Sequence, residues 1–336
     1  MIPELFIENK KIDLASYTKV VAIVDKELYK WHKAFLDKHF KDIIFIRSKE
    51  TMKNIDEVIP ILKSLADKNL DRNSCLVAIG GGVIGDITGF MASIYMRGID
   101  FIQIPTTYMA MCDHIIGKVA ISNVKKNVFG SFYSPKRTYI FKRFIKILPQ
   151  KLINQGFAEV LKHYFITGNK ELKKIILKKK VGIKDLINAV EISHKIKSSF
   201  VKKDPRDING SHKALSYGHT FANAIEKIDQ NINHGEAVLK GMILATKLSH
   251  KLGLLNDKDF IELMKICTIL ERKFDVQIKI KKKNINNMLH SFKTDKISCN
   301  GKMKFVLLTK VGKHVIVEIE EKQVKNLLLG ECENDA

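Results

Sequence analysis

Cysteine is scarce and scattered in this chain of 336 residues, with five thiols at Cys75, Cys112, Cys267, Cys299 and Cys332. None lies close to another in sequence, so no CxxC redox pair, zinc-finger spacing or secreted disulfide framework can be drawn. Five free thiols in a reducing cytosol are expected. Long apolar runs are missing too: no stretch approaches the roughly 18 residues that a membrane span requires. The first residues, MIPELFIENKKIDL, lack the apolar core and cleavage site of a signal peptide. A cytoplasmic location without a membrane partner is therefore expected. Acidic residues are few, 36 against 58 Lys and Arg, for a formal net charge of +22. Such an excess invites a nucleic-acid reading. No helix-turn-helix, zinc finger or aromatic RNA motif accompanies it, so no nucleic-acid partner is expected. The lysine clusters Lys178–Lys180 and Lys281–Lys283 read as solvated helix ends or loops.

What remains is an ordinary globular composition, 45% hydrophobic and 28% charged, at a length of about two domains of roughly 150 residues. The first half alternates short β-branched runs with helical patterns. VVAIVD (20–25), DIIFIRS (42–48), CLVAIGGG (75–82) and FIQIPTT (101–107) read as strands. Residues 26–39, 55–68 and 85–98 read as helices between them. That alternation predicts a mostly parallel sheet covered on both faces. After Pro149 long helical patterns dominate, over 151–167, 183–201, 214–228, 235–252 and 256–270. A small hairpin at 304–310 and 314–320 and a last helix at 321–330 close the chain. The expected layout is an α/β nucleotide-binding domain over 1–149 and a mostly α-helical metal- and substrate-binding domain over 150–336.

Gly80-Gly81-Gly82-Val83-Ile84-Gly85 fits G-x-G-x-x-G directly between a strand and a helix. Glycines allow the tight turn and the close approach of a pyrophosphate, and the following helix N-terminus offers free N–H groups. Asp25, at the end of the first strand, is either a partner for a ribose hydroxyl or the N-cap of the next helix.

GGGVIGDITGFMASIYMRGIDFIQIPTT (80–107) resembles the signature stretch of the dehydroquinate synthase family. The resemblance recurs at Glu50-Thr-Met-Lys53, Lys126-Asn127, Ala158-Glu-Val-Leu-Lys162, Gly218-His-Thr220, His234-Gly-Glu-Ala237 and Gly301 to Leu308. Members are NAD- and metal-dependent sugar phosphate cyclases, distantly similar to iron-group alcohol and glycerol dehydrogenases. The resemblance implies that Asp25, Glu50, Lys53, Gly81, Gly82, Val83, Asp86, Thr106, Thr107 and Lys126 contact the dinucleotide. It implies a metal site at Glu159, His219 and His234, a ligand set suited to zinc or cobalt with coordination positions left open. Glu159 and Lys162 stand at i and i+3 on an expected helix, and the apolar neighbours Phe157, Val160 and Leu161 favour a packed site over a surface ion pair. Arg97, Lys118, Lys126, Asn127, Lys162, Lys197 and Lys296 are the implied contacts to substrate or cofactor phosphate. Arg97 would reach into the site of a partner in a homodimer, and Asp113 would stand near the reacting sugar.

The pocket departs from the family pattern. His212, Ser216 and Asn223 occupy positions where Arg, Asn and His are usual, and the stretch around Lys118 is one residue shorter, which leaves Lys118 and Val119 as alternatives for one role. An arginine meets a substrate carboxylate in a bidentate pair that histidine reproduces poorly, and Asn223 cannot exchange protons as an imidazole does. The leading expectation is cyclisation of a phosphorylated keto sugar with loss of phosphate, the substrate being 3-deoxy-arabino-heptulosonate 7-phosphate. One alternative is a cyclase for a non-carboxylate substrate, sedoheptulose 7-phosphate or glucose 6-phosphate. Another is a glycerol-dehydrogenase-like NAD oxidoreductase.

Overall fold

A computed structural model of the chain describes residues 2–8, 11–114, 116–122, 127–208, 210–229, 231–276, 278–295, 298 and 302–332. Contacts divide it into two compact units, Met1–Ile153 with Lys197–Ile208, and Asn154–Ile196 with Asn209–Ala336.

The first unit is built on strands β1 (Glu4–Ile7), β2 (Val20–Asp25), β3 (Asp42–Ile46), β4 (Cys75–Gly80), β5 (Asp100–Pro105), β6 (Val119–Ile121), β7 (Phe129–Ser131) and β8 (Arg137–Ile140). Six of them form one sheet in the order β1-β8-β5-β4-β2-β3, every neighbouring pair parallel. β6 and β7 form a separate antiparallel pair. Helices α1 (Lys26–His39), α2 (Ile55–Asp67), α3 (Gly82–Ile94) and α4 (Tyr108–Asp113) connect the strands, and α5 (Lys142–Lys146) follows β8. The central strands are apolar and buried almost throughout, as strands covered on both faces must be. Val21 and Ile23 of β2 and Leu76 and Ala78 of β4 share a buried cluster with Ile84, Ile87 and Met91 of α3.

The strand order carries functional information. From β2 the chain runs outward to β3, then returns to β4 on the other side of β2 and continues to β5 and β8. The direction of winding reverses between β2 and β4, and open parallel sheets bind ligands at the carboxyl ends of strands at such a point. Asp25 and Gly80 end those two strands.

The second unit holds most of α6 (Gln150–Thr167), then α7 (Lys170–Leu177) and α8 (Ile183–Lys203), whose end from Lys197 groups with the first unit. It continues through α9 (His219–Ile228), α10 (His234–Lys251), α11 (Asp257–Phe274) and α12 (Ile285–Lys293). The antiparallel pair β9 (Lys304–Lys310) and β10 (Lys313–Glu318) and then α13 (Glu321–Gly330) complete it. Phe221 of α9, Phe292 of α12 and Phe305 of β9 meet with ring centroids 5.0 to 5.4 Å apart, which ties three elements into one core. α9 and α10 touch backbone to backbone at Gly218 and Gly241.

Two sequence-based boundaries move. The strand expected to run through Gly82 stops at Gly80, and the helix expected from Gly85 begins at Gly82. The helix expected over 214–228 starts only at His219. Ser211–Ser216 form a 3-10 segment, and Gly218 has a φ of +79°, a left-handed conformation that interrupts a right-handed helix. Strands β1, β6, β7 and β8 and helices α4, α5, α7 and α12 are not expected from the sequence pattern. Among the described residues, no helix is long and apolar enough to cross a membrane.

Candidate active site

In the first unit the glycine turn sits as its residue types dictate. Gly81 is the N-cap of α3 and makes no side-chain cap, so the first-turn N–H groups of the helix are left to a ligand. A Cβ on Gly81 would lie 3.2 Å from Thr107 Cγ2, so a side chain there would crowd the turn against the loop after β5. Gly82 and Val83 open α3. Thr106 N donates to Gly80 O at 2.9 Å, which binds that loop to the turn. Thr107 caps α4 by accepting from Ala110 N at 3.2 Å. Asp25 accepts from Glu27 N at 3.2 Å and so caps α1, and burial raises its pKa.

Lys53 is the hub of a buried polar cluster. Its Nζ lies 2.7 Å from Asp86 Oδ2, donates to Asn127 Oδ1 at 2.8 Å and approaches the exposed Glu50 at 3.4 Å. Asp86 in turn accepts from Ala120 N at 3.0 Å, and His114 Nε2 stands 3.4 Å from its other side. Nearby, Lys197 Nζ donates to Asp113 O and lies 3.5 Å from Asp113 Oδ2. His114 was not singled out in the sequence. Its ring lies where a Cβ on Gly82 or Gly85 would meet it, against the start of α3. Burial holds its pKa below the ordinary histidine value, and Lys197 and Lys53 act in the same direction.

Arg97 is exposed at a turn where Met96, Arg97 and Gly98 all have positive φ, 51°, 70° and 118°. Lys118 is exposed too, whereas Val119 is buried as the first residue of β6, so of the two alternatives only Lys118 offers its side chain to solvent. Lys126 and Lys296 lie outside the described residues.

The second unit brings three of its expected residues to one point. Glu159 comes from α6, His219 is the first residue of α9 and His234 the first of α10. One ligand atom from each lies within 4.8 Å of the others. His219 Nε2 is 3.5 Å and His234 Nε2 3.7 Å from Glu159 Oε1. The other ring nitrogens face acceptors: His219 Nδ1 lies 3.3 Å from the carbonyl of Tyr217, and His234 Nδ1 lies 2.7 Å from Glu226 Oε1. A carbonyl or carboxylate only accepts, so each Nδ1 carries its proton when the ring is neutral and leaves the Nε2 lone pair facing Glu159.

Glu159 is fully buried and paired with the equally buried Lys162. Burial opposes its ionisation, but Lys162 and the two imidazoles prevail and hold the carboxyl well below the usual range. Burial likewise disfavours a charged His234. Hydrogen bonds to Glu159 and Glu226 outweigh it and raise the pKa to about 9. An anionic carboxylate with two imidazoles, drawn from three helices, is a donor set that fits zinc or cobalt.

The remaining expected residues are near in sequence but distinct in setting. His212 is buried in the 3-10 segment, which also carries Ser216. Asn223 Nδ2 donates to Asp295 Oδ2 at 3.1 Å, which ties α9 to the end of α12. Glu226 was not singled out either. Its position seven residues after His219, on the same face of a helix two turns on, is the signal that could have found it.

Residues 43–155 match the family model described as 3-dehydroquinate synthase N-terminal, and residues 156–298 match 3-dehydroquinate synthase C-terminal. A 3-dehydroquinate synthase of Endomicrobium trichonymphae is 35% identical over 319 residues, covering 91% of this chain and 87% of that protein. One of a Sulfurovum species is 36% identical over 321 residues, with 93% and 90% covered. Among solved structures, 2-deoxy-scyllo-inosose synthase complexed with carbaglucose-6-phosphate, NAD+ and Co2+ superposes with a TM-score of 0.86 at 22% identity, over 97% of this chain and 96% of that one. A 2-epi-5-epi-valiolone synthase from Streptomyces hygroscopicus with NAD+ and Zn2+ gives 0.82 at 19%, over 98% and 96%. At these identities the two structures speak for the fold.

Proposed function

The chain belongs to the 3-dehydroquinate synthase family, and from that premise we propose that it cyclises a phosphorylated keto sugar with loss of phosphate, using NAD and a divalent cation. The substrate we assign is 3-deoxy-arabino-heptulosonate 7-phosphate, and the product is 3-dehydroquinate. The observation that carries the reading is the convergence of Glu159, His219 and His234 in a chain whose two halves both match that family.

Glu159, His219 and His234 would hold zinc or cobalt, which supplies Lewis acidity to a substrate hydroxyl. The glycine turn would hold NAD, which supplies a reversible hydride acceptor. The residues of the chain do the rest. The free N–H groups of α3 receive the pyrophosphate, and Gly81 keeps the approach open. Lys53, fixed between Asp86 and Asn127, presents a positive charge beside that turn with little freedom to move. Lys162 holds Glu159 ionised as a ligand. Arg97, Lys118, Lys126, Lys197 and Lys296 are the cations assigned to substrate or cofactor phosphate, and Asp113 is assigned to the sugar. The proposal includes a cytoplasmic homodimer.

His212 favours a second reading. A buried imidazole stands where the family usually places an arginine for the substrate carboxylate, which suits a sugar phosphate lacking that group. One panel separates the readings. Purified protein with NAD and zinc is given 3-deoxy-arabino-heptulosonate 7-phosphate, sedoheptulose 7-phosphate or glucose 6-phosphate, and inorganic phosphate is measured. Release from the first supports the assignment, and release only from the others supports the second reading. No release from any of the three, or stoichiometric NADH from a polyol, overturns cyclase activity.

A further inference from the structure

The two imidazoles of the cluster are anchored differently. His219 leans on a backbone carbonyl, that of Tyr217, which any sequence would supply. His234 leans on a side chain, with Nδ1 2.7 Å from Glu226 Oε1. His234 is also the first residue of α10, where the N-cap Asn233 makes no side-chain cap, and its own side chain is 39% exposed. Local packing alone would therefore leave this ring room to turn. Glu226 is mostly buried, at 18% side-chain exposure, and sits on α9, the helix that begins with His219. One helix thus carries a ligand at its start and the brace for the other ligand two turns later.

We propose that Glu226 is a positioning residue of the metal centre. Its carboxylate accepts the Nδ1–H of His234, fixes the tautomer whose Nε2 lone pair faces Glu159, and strengthens that nitrogen as a donor. The inference rests on the reading of Glu159, His219 and His234 as metal ligands. Carboxylates placed behind ligating histidines act in this way, and their loss costs about 10–100-fold in metal affinity.

The test is a titration of the metal-stripped full chain with cobalt(II), followed by its visible absorption, with zinc affinity then measured by competition against a chelator. Glu226→Ala is expected to loosen zinc about 10–100-fold and to alter the cobalt spectrum. Glu226→Gln, whose amide oxygen accepts the same hydrogen bond, should recover part of the loss. Zinc affinity within about twofold of wild type in Glu226→Ala, or no recovery in Glu226→Gln, overturns the inference. If circular dichroism shows that the alanine variant does not fold, Glu226→Gln decides alone: weakened zinc binding with a changed cobalt spectrum upholds it, and wild-type behaviour overturns it. A different outcome marks failure of the metal reading itself: wild-type protein that takes up no stoichiometric metal, or Glu159→Ala that binds as tightly as wild type.

Discussion

Replacing Gly241 by alanine should damage the proposed metal centre without touching any of its three residues. Gly241 lies in α10, and a Cβ there would come 2.9 Å from Ala222 N and closer still to Gly218 O. Both are backbone atoms of the adjoining α9 segment, so no flexible side chain can yield. Ordinary contact begins near 3.4 Å, so relieving the closer contact, with Gly218 O, moves the two segments apart by about an ångström, a strain of at least about 1–3 kcal/mol. Gly218 immediately precedes His219, so the displaced atoms carry this proposed ligand with them, while His234 stays at the start of α10. The expected result is a loss of about 1–3 kcal/mol in urea unfolding of the metal-stripped protein, together with weaker zinc binding. Gly330→Ala is the control, because a Cβ there meets nothing within 4 Å. If Gly241→Ala unfolds within about 0.5 kcal/mol of wild type and binds zinc equally well, the close approach of the two helices does not set the ligand geometry.

Two further outcomes follow from buried and half-buried charge. Lys162→Met leaves the Glu159 carboxylate buried without its ammonium partner, and should cost about 3–5 kcal/mol in the metal-stripped chain. Zinc should restore part of this loss, and a cost under about 1 kcal/mol in urea unfolding would show that the imidazoles suffice. Elsewhere in the second unit, Glu262 accepts from Lys173 Nζ at 2.6 Å and Tyr164 OH at 2.7 Å, and these bonds lower its pKa. A depressed carboxyl pKa stabilises the fold above the unfolded value of about 4.3, and that contribution is lost as pH falls through the folded value. Glu262→Gln should therefore flatten the acid limb of stability below about pH 5, by less than about 1 kcal/mol because the side chain is a third exposed. An unchanged acid limb in pH-dependent unfolding refutes the coupling.

The legible parts of the chain were those encoded locally. α1 at Lys26–His39 and α13 at Glu321–Gly330 fall where their apolar spacing places them, and β2 matches VVAIVD residue for residue. The glycine turn was readable because only a strand, a sharp bend and a helix N-terminus need glycines in that order. β1 and β8 were not. ELFI and RTYI are four-residue segments without a distinctive pattern, and they become strands by pairing with each other across more than 130 residues. The late start of α9 was hidden for a related reason. Residues 214–218 are compatible with a helix, and it is the backbone contact of Gly218 with α10 that accompanies its left-handed turn.

The candidate site divides along the same line. Motifs that resemble the family pointed to Glu159, His219 and His234 in advance, and the fold brings one donor atom from each within 4.8 Å of the others. Sequence could not show which side chains stand behind them. Glu226 supports His234 only because α9 lies against the start of α10, and His114 reaches Asp86 only because the turn after α4 lies over α3. The alternation of apolar runs thus determined the fold class and the glycine turn by itself, and the family resemblance pointed to the candidate donor set. The burial of the Glu159 and Lys162 pair and the acceptors that face the Nδ1 atoms of His219 and His234 came only with tertiary structure, since they depend on how the helices pack.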